Sequence, residues 1–175
     1  MRRFRGEARE AKKQEPVSRV MIESPGFAGG QPIPRKYTED GANISPAIVW
    51  RRLPAGAKTV AIVCDDPDAP RTEPWVHWII YDIPAVRSGL PEAISPVARP
   101  SEVPGALQGV NDFGKVGYGG PAPPPGHGTH HYHFTLYALD EEIPIAPRDV
   151  TKRTLLQAMK GHTVGFGELI GTYGR

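Results

Sequence analysis

Two stretches of the chain are apolar on every face, which is the pattern of a strand in the middle of a sheet. TVAIVCD at 59–65 is a continuous apolar run, and WVHWIIYDI at 75–83 keeps apolar side chains on both alternating faces. Strands buried on both faces have this pattern, whereas a half-exposed strand alternates apolar and polar residues. We predict both as central strands, with further strands at RVMIES, AIVW, HYHFTLYALD and GELIGTY.

One segment of the body has the spacing of a helix. Between 147 and 162, apolar residues fall roughly on one side of a helix, at Val150, Leu155, Leu156 and Met159. Asp149 or Thr151 can cap the start, and Gly161 suits the position just beyond the end. The pattern therefore predicts a single late helix.

Turn-forming residues dominate the rest of the chain, which has 20 glycines and 20 prolines. Residues 84–125 in particular show little periodicity, and a loop of this length is uncommon unless it has a function or holds small elements of its own. Short strands, one helix and long Pro/Gly loops predict a mostly β fold of two packed sheets.

Charge separates the N-terminus from the body. The 175-residue chain has a net charge of +2, and residues 1–19 contain 7 basic and 3 acidic side chains. We predict a flexible or helical basic extension at 1–17 and a single domain at 18–175. The extension lacks the apolar region of a secretory signal, and it lacks the mixture of aromatic and basic residues that would suggest a nucleic-acid arm. No apolar run is long enough to span a membrane.

Cys64 is the only cysteine and lies inside the first apolar run. A single thiol forms no internal disulfide, and burial makes it an inert core residue and not a nucleophile. The absence of a cysteine pair is compatible with a reducing compartment, so we expect a cytoplasmic location.

The stretch GPAPPPGHGTHHYHF at 120–134 holds four of the six histidines and raises the question of a metal site. In a strand that begins near residue 130, His130 and Tyr132 point to one face, whereas His131 and His133 point to the other. Zinc requires three or four converging ligands, so we predict no metal and no other cofactor. Of the five imidazole and phenol side chains in this stretch, only those of His130 and Tyr132 are expected to take part in a site.

A carboxylate and a second imidazole are candidates to join them. CDDPDAP at 64–70 directly follows a buried strand, and two prolines fix the shape of the loop around Asp66. The alternative is a turn in which aspartate side chains accept backbone N–H groups. Strict alternation pairs His77 with Trp75, Ile79 and Tyr81 on one face of its strand, where a histidine is usually a core residue.

Together these groups suit a small anion. Two imidazoles, a phenol and the N–H groups of a glycine-rich loop would donate to it, and Asp66 would orient an imidazole and favour its charged form. The chain must also turn sharply between the two central strands. We therefore predict a cis bond at Ala69–Pro70 or at Glu73–Pro74.

Three motifs resemble the phosphatidylethanolamine-binding protein family, in particular its bacterial and archaeal branch, often called Raf kinase inhibitor-like proteins. They are DPDAP after a strand, a histidine in WVHW, and GHGTHHY before a strand. The segments IPRKYTEDGANISPAIVW and GHTVGFGELIGTYGR are also similar to that branch. The resemblance covers nearly the whole body and implies two largely antiparallel sheets with an anion pocket at one end.

The resemblance also assigns residues to that pocket. Asp66 and Asp68 match the two carboxylates of the first motif, and His77 matches the histidine of the second. The third motif and the loop before it supply His130, Tyr132, Gly120, Pro123 and Pro124. One departure is His131, which stands where the family usually has arginine and which alternation places on the outer face.

The resemblance implies a binding module for phosphorylated groups, with a kinase-like protein as a partner and a homodimer as the expected assembly. Two alternatives stay open: a phosphoester or ester hydrolase that uses the histidines, and a protease inhibitor that acts through its surface. No GxSxG, GxxxxGK[ST] or HExxH motif is present, and we assign no catalytic residue.

Overall fold

The structure, a computed structural model, describes residues 16–175, so residues 1–15 of the predicted basic extension lie outside the described part. Its elements in chain order are β1 Ser18–Arg19, β2 Met21–Glu23, β3 Ile48–Arg51, β4 Thr59–Asp66, β5 Trp75–Pro84, β6 Gly89–Leu90, β7 Leu107–Gln108, β8 Thr129–Leu139, α1 Lys152–Met159 and β9 Thr163–Gly174. Every strand predicted from the sequence has a counterpart among these.

The strands form two sheets. The larger sheet has six strands in the order β1-β9-β8-β4-β5-β7, and the smaller has three in the order β2-β3-β6. All neighbouring strands are antiparallel except β1, which pairs with β9 in parallel. The predicted fold class is therefore confirmed: a mostly β protein of two largely antiparallel sheets with a late helix.

Strand β4 is buried along its whole length because both of its faces are covered. Val60, Ile62 and Cys64 belong to the cluster that packs between the two sheets. Ala61 and Val63 belong to a second cluster that also contains the buried residues of α1. Cys64 is a buried free thiol, and burial raises its pKa well above the usual value, so the thiol stays protonated.

Helix α1 is capped as the sequence predicts. The Thr151 hydroxyl accepts the backbone N–H of Thr154, whose own hydroxyl accepts the Thr151 N–H. Gly161 follows the helix with a φ of 84°, a conformation that glycine adopts at little cost. Leu155 is buried, but Leu156 is exposed and not on the packed side. Among the described residues no helix is long and apolar enough to cross a membrane.

The segment from 84 to 125 contains only the two-residue strands β6 and β7, and backbone and side-chain hydrogen bonds hold the rest of it. Gln108 is buried at its centre, where its carbonyl accepts the Trp78 indole N–H at 2.8 Å. The amide of Gln108 also donates to the carbonyls of Ser95 and Val97, at 2.8 and 2.9 Å. One buried amide thus ties residues 95–97 of the loop and strand β5 to β7.

The predicted cis proline is wrong: the described chain has no cis peptide bond, so Ala69–Pro70 and Glu73–Pro74 are both trans. Hydrogen bonds within the loop make the reversal instead. Asp66 Oδ1 accepts the Asp68 N–H at 2.8 Å, and the Arg71 guanidinium donates to the carbonyls of Glu73 and Pro74 at 2.8 and 2.9 Å. The sequence alone did not indicate that Arg71 would bind two backbone carbonyls of its own loop.

Gly167 in β9 allows the N-terminal strands to cross the sheet at close range, because a Cβ there would lie 2.4 Å from the Val20 carbonyl oxygen. We predict that Gly167→Ala lowers the free energy of unfolding by about 1–3 kcal/mol. Gly56→Ala is the matched control, since a Cβ at Gly56 would have no neighbour within 4 Å. Urea denaturation of both variants tests this, and equal stability would contradict the crossing as a packing constraint.

Candidate functional site

The end of β4 and the starts of β5 and β8 meet at one end of the larger sheet, around a cavity of about 260 Å³. The cavity is lined by Asp66, Ala69, Pro70, Trp75, His77, Phe113, Ala122, Pro123, Pro124, His130 and Tyr132. A larger groove of about 760 Å³ runs beside β2 and β9. Its ionisable side chains, Glu23, His131 and Glu168, are exposed, so the buried chemistry lies in the smaller cavity.

A β-bulge directs His77 into this cavity. In the pairing of β4 with β5, Cys64 lies opposite Trp78 and Asp65 lies opposite Val76, so His77 is an extra residue on β5. Trp78 packs between the two sheets and Val76 packs on the other side. The predicted strict alternation along β5 is therefore interrupted at His77 and is wrong at this position. Bulges often re-aim a side chain next to a functional site, and this one brings His77 to Tyr132.

Asp66 and His130 form a buried carboxylate–imidazole pair. His130 Nδ1 lies 2.7 Å from Asp66 Oδ2, and the two side chains are 2% and 5% exposed. An ionised carboxylate only accepts, so Nδ1 of His130 holds a proton and donates it. This contact leaves Nε2 as the only ring nitrogen of His130 that is free to change its partner or its protonation.

The second imidazole, His77, has a different state. His77 Nδ1 lies 2.6 Å from the Gly119 carbonyl oxygen and must donate to it. Burial lowers the pKa of His77, although the Gly119 carbonyl and the Asp66 carboxylate act in the opposite direction. The Nδ1–H of His77 is therefore used within the protein, and burial disfavours the charged form in which His77 would also donate through Nε2. A second donating imidazole stays a prediction.

Two hydrogen-bond donors at the cavity have no partner in the described protein: the Tyr132 hydroxyl and the Trp75 indole N–H. Burial raises the pKa of Tyr132 far above its usual value, so its hydroxyl keeps the proton that it can donate. Trp75 was absent from the predicted site. Its position at the start of the WVHW motif, two residues before His77, was a signal that could have included it.

Asp68 is not brought to the cavity. Its Oδ2 accepts the His131 backbone N–H at 2.8 Å and the ring Nδ1 lies 2.7 Å away. Burial alone would raise the pKa of Asp68, but the hydrogen bonds from His131 leave it lowered. Asp68 and His131 thus form an exposed pair on the outer face, where alternation predicted His131.

The glycine-rich loop contributes its prolines more than its N–H groups. Pro123 and Pro124 line the cavity, whereas Gly120 packs behind it and donates its N–H to Asn43 Oδ1 at 2.7 Å. The N–H groups of Gly119 and Gly126 donate to the carbonyls of His77 and Arg175. The prediction that loop glycines present free N–H groups to a ligand is therefore wrong for these three.

His127 joins the site in a way that the sequence did not predict. Its Nδ1 lies 2.7 Å from Nε2 of His130, and the ring centroids are 5.0 Å apart. His127 comes before the strand, in the loop, so an argument from strand alternation could not place it. Three of the five imidazole and phenol side chains of the histidine-rich stretch, and not two, therefore meet at this site.

The histidine-rich stretch supplies no group of three potential metal ligands within the described chain. Outside this stretch, the described chain has one such group, formed by Asp140, Glu141 and His162, whose ligand atoms lie within 4.8 Å of one another. It lies at the opposite end of β8 from the cavity. Both ring nitrogens of His162 contact carboxylates, at 2.9 Å to Asp140 and 3.0 Å to Glu141, so each of them already has a protein partner.

Comparison with known proteins agrees with this fold. Residues 23–174 match the family model for phosphatidylethanolamine-binding protein. A UPF0098 protein of Methanothermobacter thermautotrophicus is 46% identical over 143 residues, which is 82% of this chain and 91% of that protein. Another from Aquifex aeolicus is 42% identical over 152 residues, covering 87% and 86% of the two chains.

Solved structures give the same result. The phosphatidylethanolamine-binding protein homologue CT736 of Chlamydia trachomatis has a TM-score of 0.79 and 37% identity, covering 91% of this chain and 99% of that one. Escherichia coli YbcL, described as a new member of the mammalian PEBP family, has a TM-score of 0.83 and 29% identity, covering 90% and 99%. The chain therefore belongs to the phosphatidylethanolamine-binding protein family and is of its bacterial and archaeal type.

The lowered pKa of His77 predicts how the stability of the protein depends on pH. Because its folded pKa is lowered, the unfolded chain binds a proton more readily, so His77 reduces stability as pH falls below about 6.5. His77→Asn keeps a donor near Nδ1 but cannot titrate. We predict that the variant loses less stability than the wild type between pH 8 and pH 5, by up to about 1.4 kcal/mol per pH unit below 6.5.

Urea denaturation across this pH range measures the effect. His133→Asn, which removes an imidazole from the outer face of β8, is the matched control and should follow the wild-type curve more closely. Parallel curves for the wild type and His77→Asn would show that His77 is not held neutral by the fold.

Proposed function

We propose that the cavity binds a small phosphorylated anion such as phosphate, phosphoethanolamine or a phospholipid headgroup. The observation that carries the proposal is the pair of buried donors without a protein partner, the Tyr132 hydroxyl and the Trp75 indole N–H. A buried donor left unsatisfied costs about 1–3 kcal/mol, and native proteins leave few such groups unexplained. An acceptor-only ligand with several oxygens would satisfy both.

The charge of the cavity supports a weakly held anion whose binding depends on protonation. Asp66 and His130 are its ionisable lining residues apart from the neutral His77 and the protonated Tyr132. With His130 neutral, the cavity carries the negative charge of Asp66. With His130 protonated, that charge is balanced and Nε2–H becomes a charged donor toward an anion.

The remaining lining is apolar, which strengthens each of these hydrogen bonds. Phe113 contacts Trp75 and His77 edge to face, with ring centroids 5.3 Å apart in both cases. Pro70, Pro123 and Pro124 also face the cavity. In a low-dielectric environment a hydrogen bond is electrostatically stronger than in water. The small volume of the cavity restricts the ligand to one small group, so a lipid would place only its headgroup there.

A hydrolase is the second candidate, and the Asp66–His130 contact is the observation that favours it. A carboxylate bound to Nδ1 orients an imidazole whose Nε2 can accept a proton, as in general-base catalysis. Among residues 16–175 no serine, cysteine or lysine lines the cavity, so water would be the nucleophile. A kinase-like partner and a protease-inhibitor surface rest on the family resemblance alone.

We predict that phosphate binds the wild type more tightly near pH 5.5 than near pH 8, because Nε2 of His130 donates only when protonated. Tyr132→Phe should weaken binding by about tenfold or more, as expected for the loss of one hydrogen bond to a charged group. His130→Ala should weaken binding and remove most of its pH dependence. Calorimetric titration of inorganic phosphate and phosphoethanolamine measures all three.

His133→Ala is the control, since it removes an imidazole of the same strand without touching the cavity. Equal affinity of the wild type, Tyr132→Phe and His130→Ala at both pH values would contradict the proposed site. Turnover of p-nitrophenyl phosphate or acetate that is lost in His130→Ala would replace the binding function with the hydrolase.

A further inference from the structure

His127 occupies the one position on His130 that an anion in the cavity would need. His130 Nδ1 is committed to Asp66, and Nε2 lies 2.7 Å from His127 Nδ1. One N–H or one lone pair makes one well-aligned hydrogen bond. While His127 is in place, Nε2 of His130 is therefore not available to a ligand oxygen.

Nε2 of His130 is unavailable to an anion in either protonation state of the ring. If His130 is neutral, Nε2 accepts a hydrogen bond from Nδ1–H of His127 and cannot donate to an anion. If His130 is protonated, Nε2–H already donates to His127. In both states the contact has to break before His130 can donate to a bound phosphate.

The surroundings of His127 allow it to leave. Its side chain is exposed and has no other hydrogen-bond or ring partner among the described residues than His130. The flanking residues Gly126 and Gly128 have φ values of 76° and 87°, and a Cβ at either would meet nothing within 4 Å. A change of side-chain rotamer thus sacrifices one hydrogen bond and no core packing.

We propose that His127 is a displaceable latch on the cavity, defined as a side chain that holds Nε2 of His130 until an anion replaces it. This inference rests on the proposed function, because it concerns the ligand position in the same site. The latch lowers the apparent affinity for every ligand that needs Nε2. A charged acceptor such as phosphate therefore displaces His127 from Nε2 more readily than a neutral acceptor does.

Phosphate titration of latch variants of the full chain at pH 7.5 tests this. His127→Ala removes the competing bond and should bind phosphate about two- to tenfold more tightly than the wild type. His127→Asn keeps a donor close to the position of Nδ1 and should return toward wild-type affinity. His133→Ala removes an imidazole outside the cavity and should not change the affinity.

Equal or weaker phosphate binding by His127→Ala, when the wild type binds and His130→Ala does not, would overturn the latch and leave the proposed function intact. Absence of phosphate binding in the wild type and in His127→Ala would overturn both. A second measurement is the ring ¹⁵N NMR signals of His127. Saturating phosphate should shift them to those of a free, exposed imidazole, and unchanged signals would overturn the latch.

Discussion

The buried contact between Asp66 and His130 is the interaction on which the site depends. It joins the end of β4 to the start of β8, and both groups are almost inaccessible to water. Removing either partner would leave an uncompensated polar group in an apolar environment, which is strongly destabilising. The contact also fixes the ring of His130 so that Nε2 faces His127. The geometry of the cavity and of the latch both follow from this one orientation.

The two cavity imidazoles differ because their Nδ1 partners differ. A carboxylate faces Nδ1 of His130, whereas a backbone carbonyl faces Nδ1 of His77. The carboxylate accepts the Nδ1–H of one imidazole, while desolvation lowers the pKa of the other ring. One residue type thus occupies two different environments at the two walls of the cavity. The aromatic contacts of His77 with Phe113 and Tyr132 suit a ring that stays uncharged.

The fold was predictable from the sequence wherever a local pattern determines the structure. The continuous apolar run of β4, the alternation of β8 and the cap at Thr151 each depend on nearby residues, and these predictions are confirmed. The bulge at His77 was not predictable from local pattern, because it is a mismatch between two strands. The outward position of Asp68 and the contact of His127 were missed for the same reason: both depend on a partner that only the tertiary structure brings near.

The unsatisfied donors and the latch are two consequences of building a polar site inside an apolar cavity. A donor without a partner reduces stability, so each one is retained at a cost that an added ligand oxygen would offset. The Tyr132 hydroxyl and the Trp75 N–H have no such partner among the described residues, whereas Nε2 of His130 has an internal one in His127. The ring nitrogen of His130 that faces away from Asp66 is therefore satisfied by the protein itself. A hydrogen bond from either neutral donor to a ligand oxygen would add its whole free energy to binding. At His130 the gain is only the difference between the hydrogen bond to the ligand and the one to His127, and this difference grows with the negative charge on the ligand oxygen.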